Sequence, residues 1–258
     1  MSYLQVSKLS KSFGGLMAVS SISLTIEKNE LIGIIGPNGA GKTTLFNLLT
    51  GVYTPSEGTI TLHKDIEPIV LSGKKPHQIA NLGLARTFQN IRLFKDLSVL
   101  NNIKIAMNRH SNYGLFSTFL RLPSFYKNEE ALHQKALEMV DLVGLSELKD
   151  ELAKNLSYGK QRQLEIARAL STGSNILFLD EPAAGMNPFE TQELTQFIFD
   201  IRKKMDLTIV LIEHDMSLVM KICEKIFVLD YGKLIASGTP QEIKGNKRVI
   251  EAYLGDAS

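Results

Sequence analysis

The segment Gly36-Pro37-Asn38-Gly39-Ala40-Gly41-Lys42-Thr43-Thr44 constrains this chain more than any other part of it. It follows the apolar run Leu31-Ile32-Gly33-Ile34-Ile35 and leads into Leu45-Phe46-Asn47-Leu48-Leu49. That reads as strand, glycine-rich loop and helix, spaced G-x-x-x-x-G-K-[ST] from Gly36 to Thr43. Glycines reach φ > 0 and let backbone N–H groups turn inward around a polyphosphate. The helix that follows adds unpaired N–H groups and the positive end of its dipole. Lys42 is then placed to reach β- and γ-phosphates, and the Thr43 hydroxyl to ligate Mg²⁺. A glycine-rich turn with a chance lysine is the plainer reading, and it accounts for neither flank.

The rest of the composition narrows the setting. The chain of 258 residues is long enough for one large domain or two small ones. With 44% apolar and 22% charged residues it has the balance of a soluble globular protein. A net charge of +2 is too small to argue for nucleic acid or a lipid surface. The single cysteine, Cys223, excludes an internal disulfide and fits a reducing compartment. It lies in Leu218-Val219-Met220-Lys221-Ile222-Cys223, an apolar helical pattern that predicts packing. No run approaches the roughly 20 apolar residues of a membrane span, and Met1-Ser2-Tyr3-Leu4-Gln5 lacks a signal segment. These readings predict a cytoplasmic protein.

In chain order, Leu4 to Val6 and Ile22 to Ile26 alternate as half-buried strands do. Between them Lys11-Ser12-Phe13-Gly14-Gly15 reads as a turn. Its aromatic, Phe13, either stacks on a purine base or plugs the sheet edge, and composition favours the plug. Thr54-Pro55-Ser56-Glu57-Gly58 is a turn before the strand Thr59-Ile60-Thr61-Leu62, and His63 to Lys75 is polar and loop-like. From about Leu97 to Lys154 helical periodicity dominates, in Val99 to Met107 and Ala131 to Val140. Between these, Tyr113 to Tyr126 carries five aromatics with little charge, either core or a patch for a hydrophobic partner.

The α/β texture then resumes. Ile176-Leu177-Phe178-Leu179 ends at Asp180-Glu181, and Thr208 to Ile212 ends at Glu213-His214-Asp215. Runs this apolar suit a parallel sheet covered on both faces, where ligands bind beyond the carboxyl ends of strands. Gly36, Asp180 and His214 all follow such ends. Asp180 matches the Walker-B pattern, whose carboxylate helps hold Mg²⁺. Glu181 is placed to orient or deprotonate an attacking water. Adjacent carboxylates repel, so a bound cation gives them a reason to coexist. An acidic loop before Pro182 is the alternative, and the P-loop decides against it. His214 alone reads as structural, but at a neighbouring strand end it can contact a γ-phosphate. Gln89 alone is an ordinary loop residue. Ile226 to Leu229 and Lys233 to Ser237 form a closing hairpin around Tyr231-Gly232.

Leu156-Ser157-Tyr158-Gly159-Lys160-Gln161-Arg162-Gln163-Leu164-Glu165-Ile166-Ala167-Arg168-Ala169-Leu170 resembles the signature of ABC-transporter ATPases, usually L-S-G-G-Q followed by a helix. Tyr158 replaces the first glycine and Lys160 the glutamine. Locally, Ser157 is also a plain helix N-cap. The resemblance spans the whole chain. Phe13 matches the aromatic that stacks on adenine, Gln89 the Q-loop, Pro182 to Pro188 the D-loop region and His214 the switch histidine. It implies a single ABC-type P-loop ATPase domain over 1–258. The mixed α/β core covers about 1–90 and 160–258 with an N-terminal antiparallel part, and the inserted helical subdomain covers about 91–159. The implied ligands are ATP and Mg²⁺. Gly36, Pro37, Asn38, Gly39, Ala40, Gly41, Lys42, Thr43 and Thr44 bind nucleotide with Phe13. Thr43, Gln89 and Asp180 hold the metal, and Glu181, His214 and Gln89 serve catalysis. Ser157 and Gly159 cap the ATP of the opposite subunit.

A narrower resemblance is to the LivG-type ATPases of branched-chain amino acid importers. It rests on Ala85 to Phe94, the Tyr158-containing signature, Pro182-Ala183-Ala184-Gly185-Met186-Asn187-Pro188, Ile212 to Met220, the insert around Gly114-Leu115-Phe116 and Val249-Ile250-Glu251-Ala252-Tyr253-Leu254-Gly255. That resemblance implies a second ATPase subunit, two membrane permeases and an extracytoplasmic binding protein. It also implies no nucleic acid, and a place on the cytoplasmic face of the membrane. Importers of urea or short amides and lipopolysaccharide exporters use similar subunits. An ABC ATPase acting on ribosomes or DNA is the alternative outside transport, though those usually carry two cassettes or a long coiled coil.

Overall fold

A computed structural model describes residues 2–64, 67–108 and 123–254. Two sheets share the chain. The first is antiparallel: β1 (Ser2–Phe13), β2 (Leu16–Glu27), β4 (Glu57–Leu62) and β5 (Ile69–Val70) lie in the order β2-β1-β4-β5. The second contains β3 (Leu31–Ile35), β6 (Leu84–Arg86), β7 (Ile176–Asp180), β8 (Thr208–Ile212), β9 (Lys225–Asp230) and β10 (Lys233–Gly238), ordered β10-β9-β3-β8-β7-β6. Strands β9, β3, β8, β7 and β6 run parallel, and β10 closes the edge as the antiparallel arm of the expected hairpin.

The parallel strands are apolar on both faces because they separate two cores. Ile32, Ile34, Ile176, Phe178, Val210 and Ile212 face the antiparallel sheet and helix α1 (Lys42–Leu49), where Phe46 meets Phe178 edge-on at 5.4 Å. Burying an aromatic of this size contributes about 2–3 kcal/mol. Leu31, Ile35, Leu177, Leu179, Ile209 and Leu211 face the helices on the other side. Cys223 belongs to that second core: a Cβ on Gly33 would stand 3.1 Å from its sulfur. Packing, expected from the pattern around Cys223, is what it does.

Helix α2 (Pro76–Asn81) and the three-residue β6 follow β5. Then come α3 (Val99–Met107), capped by the Ser98 hydroxyl, and α4 (Pro123–Leu142), which packs against α3. Helix α5 (Tyr158–Leu170) leads to β7. Helix α6 (Pro188–Met205) starts with Asn187 and Glu190 satisfying each other's backbone N–H, an arrangement that fixes its entry. Helices α7 (Met216–Ile222), α8 (Pro240–Lys244) and α9 (Lys247–Leu254) complete the chain.

Two local readings differ from the sequence pattern, and a third lies mostly outside the described residues. Strand β1 continues to Phe13, so only Gly14-Gly15 turns, because bulges interrupt its pairing with β2 and hide the alternation. The two-residue strand β5 interrupts the expected His63 to Lys75 loop, and helix α2 starts just after it at Pro76. The aromatic stretch from Tyr113 to Phe125 falls outside the described side chains, while Tyr126 is exposed on α4. Among the described residues no helix is long and apolar enough to cross a membrane.

Candidate active site

Strands β3, β8 and β7 are neighbours and parallel, with Ile34 level with Ile212 and Ile212 level with Asp180. Their carboxyl ends therefore deliver the P-loop, the His214 loop and the Asp180-Glu181 pair to one edge of the sheet.

The P-loop is shaped by glycine. Gly36 has φ 151° and a Cβ there would meet the Leu229 carbonyl at 2.1 Å; at Gly41, φ 97°, it would meet the Ala18 carbonyl at 2.5 Å. Gly39 also takes positive φ, in open space. Gly41 stands at the N-cap of α1 with no side chain capping the helix, so its first N–H groups stay available to an anion. The Lys42 ammonium curls inside the loop and donates to the carbonyls of Gly36 at 2.7 Å and Pro37 at 2.9 Å. Burial lowers its pKa, and the Glu181 carboxylate partly offsets this. Pro37, Asn38 and Ala40 complete the curl, with Ala40 N–H donating to the Pro37 carbonyl. Thr43 is exposed on the first turn beside Thr44.

Across the edge, Gln89 donates its side-chain amide to Glu181 Oε2 at 2.9 Å. His214 Nδ1 stands 4.0 Å from Glu181 Oε1. Glu181 itself is held at φ 43°, a costly backbone for a residue with a side chain, and its N–H donates to Ile212 O at 3.0 Å.

Asp180 has a partner that sequence reasoning missed. Arg86 reaches its Oδ2 at 2.9 Å, donates to Asn47 at 2.6 Å and Thr50 at 3.0 Å, and rests over the Phe46 ring. Among the described residues no hydrogen bond engages Oδ1, which would serve a cation. Among the described residues no three His, Cys, Asp or Glu groups gather to hold a metal alone. Asp180, Thr43 and Gln89, the residues expected to hold the metal, would offer one carboxylate, one hydroxyl and one amide oxygen, a set that suits a hard cation completed by phosphate oxygens and water.

Two further acids are buried, and each sits beneath a loop. Arg162, on α5 and fully buried, pairs with Glu165 at 2.6 Å and donates to the carbonyls of Phe88 at 2.8 Å and Gln89 at 2.9 Å. Glu165 accepts from Arg92 N–H, and burial raises its pKa against the Arg162 charge. Glu213 lies beneath the His214 loop, where burial likewise pushes its carboxyl up while backbone N–H groups pull it back. Only their environment marks these residues; in sequence they are ordinary charged positions.

The remaining candidates lie elsewhere. Ser157 caps α5 by accepting from Lys160 N–H, and Gly159 follows in its first turn beside Glu190. Both belong to the first turn of that helix or its cap. Tyr158, 39% exposed, takes an ordinary helical φ, so its side chain fits where the family often has glycine. Phe13, at the tip of the β1–β2 hairpin, is 42% exposed and meets Tyr53 edge-on at 5.2 Å with Lys11 over its ring. Its ring is thus partly open at the hairpin tip.

Comparison with known proteins fits this geometry. The sequence model of the ABC transporter family matches residues 19–184. The chain belongs to the ABC transporter ATP-binding cassettes. A second family model, described as a branched-chain amino acid ATP-binding cassette transporter, matches residues 233–258 of this cassette. The LivG high-affinity branched-chain amino acid transport ATP-binding protein of Salmonella typhimurium is 47% identical over 98% of both chains. BraF of Pseudomonas aeruginosa is 46% identical over the same shares. The solved ADP conformation of the cassette MJ1267 superposes with a TM-score of 0.82 at 28% identity, covering 99% of this chain and all of that one. This cassette is an ATPase, and its fold is that of the ABC P-loop enzymes.

Proposed function

We propose that this cassette powers a membrane importer of branched-chain amino acids. The observation that carries this reading is the 47% identity to LivG, which runs through 98% of both chains. The LptB protein of a lipopolysaccharide export system is 31% identical, a weaker likeness of the same extent.

In this reading the whole chain is one domain, with the core over about 1–90 and 160–258 and the helical subdomain over about 91–159. A second ATPase subunit, identical or related, faces it, so that Ser157 and Gly159 of this chain meet the ATP held by the P-loop of that subunit. Phe13 stacks on adenine. The loop Gly36 to Thr44 and Lys42 hold the phosphates through N–H groups and one ammonium. Thr43, Gln89 and Asp180 would hold magnesium, which would supply charge neutralisation at the terminal phosphate. Glu181 takes the proton of the attacking water, Gln89 orients Glu181, and His214 contacts the phosphate being cleaved. Closure and reopening of the pair drive two permeases, fed by an extracytoplasmic binding protein, from the cytoplasmic face of the membrane.

Uptake of labelled leucine, isoleucine and valine, with urea alongside, tests the substrate. Cells carrying Glu181→Gln in place of the native chain lose branched-chain uptake and keep urea uptake. The opposite selectivity would replace the substrate and leave the ATPase standing.

A further inference from the structure

One buried carboxylate ties together the two loops that carry Glu181 and His214. Glu213 is 1% exposed and accepts three backbone N–H groups. Oε1 takes Ala183 N–H at 2.8 Å, while Oε2 takes His214 N–H at 3.1 Å and Asp215 N–H at 3.4 Å. Ala183 stands two residues after Glu181, and Glu213 itself stands one before His214. The same Oε2 lies 4.0 Å from His214 Nδ1, which is also 4.0 Å from Glu181 Oε1.

An acid in an apolar interior is costly unless its oxygens are filled, and here both oxygens are filled by backbone, one from each loop. Apart from the 4.0 Å approach of His214 to Glu181, the other described contact at this point, Glu181 N–H to Ile212 O, is a backbone bond that any residue would make. The relation between the Glu181 loop and the His214 loop therefore depends on the side chain at position 213. We propose that Glu213 is a positioning residue for ATP hydrolysis, setting His214 against Glu181 without touching the nucleotide. This rests on the roles proposed above for Glu181 and His214.

The chemistry of the tie selects the variants. Glutamine offers one acceptor oxygen and one NH₂ donor, so whichever way it turns, one loop's N–H faces another donor. Aspartate keeps the charge and the nearby His214 and Asp215 bonds but is one methylene short of Ala183. Hydrolysis and ATP–Mg binding by the full-length chain test the proposal. Both Glu213→Gln and Glu213→Asp should lower kcat by roughly 100-fold, the loss expected for a displacement on the order of 1 Å at a reacting group. KM for ATP should stay near native. Because Glu213 acts through His214, adding His214→Ala should cost nothing further.

A native rate in Glu213→Asp, or losses that multiply in the double variant, would overturn the proposal, provided Glu181→Gln and His214→Ala alone are slow. So would loss of the fold in both Glu213 variants, since that assigns the residue to stability. If Glu181→Gln and His214→Ala themselves hydrolyse normally, the site assignment has failed first and the role of Glu213 falls with it.

Discussion

Gln89 and Glu181 are hydrogen-bonded at 2.9 Å although 92 residues separate them. The contact depends on the backbone at both ends. Glu181 is turned by its positive φ, and the carbonyl of Gln89 is held by Arg162. Arg162 stands one turn into the helix that Ser157 caps. A continuous series of polar contacts thus runs from the signature segment to the carboxylate proposed to activate water.

The P-loop glycines are not equivalent. Gly36→Ala would drive a Cβ to within 2.1 Å of the Leu229 carbonyl, and that carbonyl belongs to strand β9. Gly39→Ala meets nothing and carries only the cost of positive φ, about 1–2 kcal/mol. Chemical denaturation and ATP titration should show Gly36→Ala well beyond that loss and without ATP affinity. Equal damage from the two variants would contradict the geometry.

Arg162→Ala leaves Glu165 buried without its cation, which should destabilise the fold by about 3–5 kcal/mol. Replacing both partners together, Arg162→Met with Glu165→Leu, should be milder, because the fully buried guanidinium and its carboxylate leave together and only the half-buried Arg168 loses an opposite charge. Denaturant midpoints of the two variants check this. The double variant should still hydrolyse slowly, since the carbonyls of Phe88 and Gln89 lose their donor.

Much of this arrangement can be read from residues alone, and the rest has physical reasons for being hidden. Gly36 to Thr44, Asp180 and His214 sit after apolar runs, and parallel strands bring such ends to one edge. Strand β6 is three residues long, too short to show a period. Arg86, Arg162 and Glu213 are hidden for a different reason: their residue types are common on surfaces, and only the fold buries them against Asp180, Gln89 and Ala183. Phe13 was ambiguous because exposure at a hairpin tip is a property of the tertiary fold.

Cys223 provides a pH-dependent reporter of the core. Burial pushes its thiol far above the ordinary value of 9.0, with Glu224 and Glu213 adding to the shift. The folded state thus favours the protonated thiol. Its contribution to stability is whole below the ordinary value and is lost as pH rises past it. Alkylation of the native chain at pH 8 should be slow and become fast on unfolding. Cys223→Ser should flatten the alkaline loss of stability; a native chain that alkylates as fast as an unfolded one would contradict the burial.

The most direct test of the account is the rate of ATP hydrolysis by Glu181→Gln, measured with ATP affinity on the same full-length protein. Glutamine keeps the shape of the side chain and can still bond Gln89, but it cannot accept a proton from water. Glu181→Gln should keep near-native ATP affinity while turnover falls by about 10²–10⁴-fold. Undiminished turnover would remove Glu181 from the chemistry.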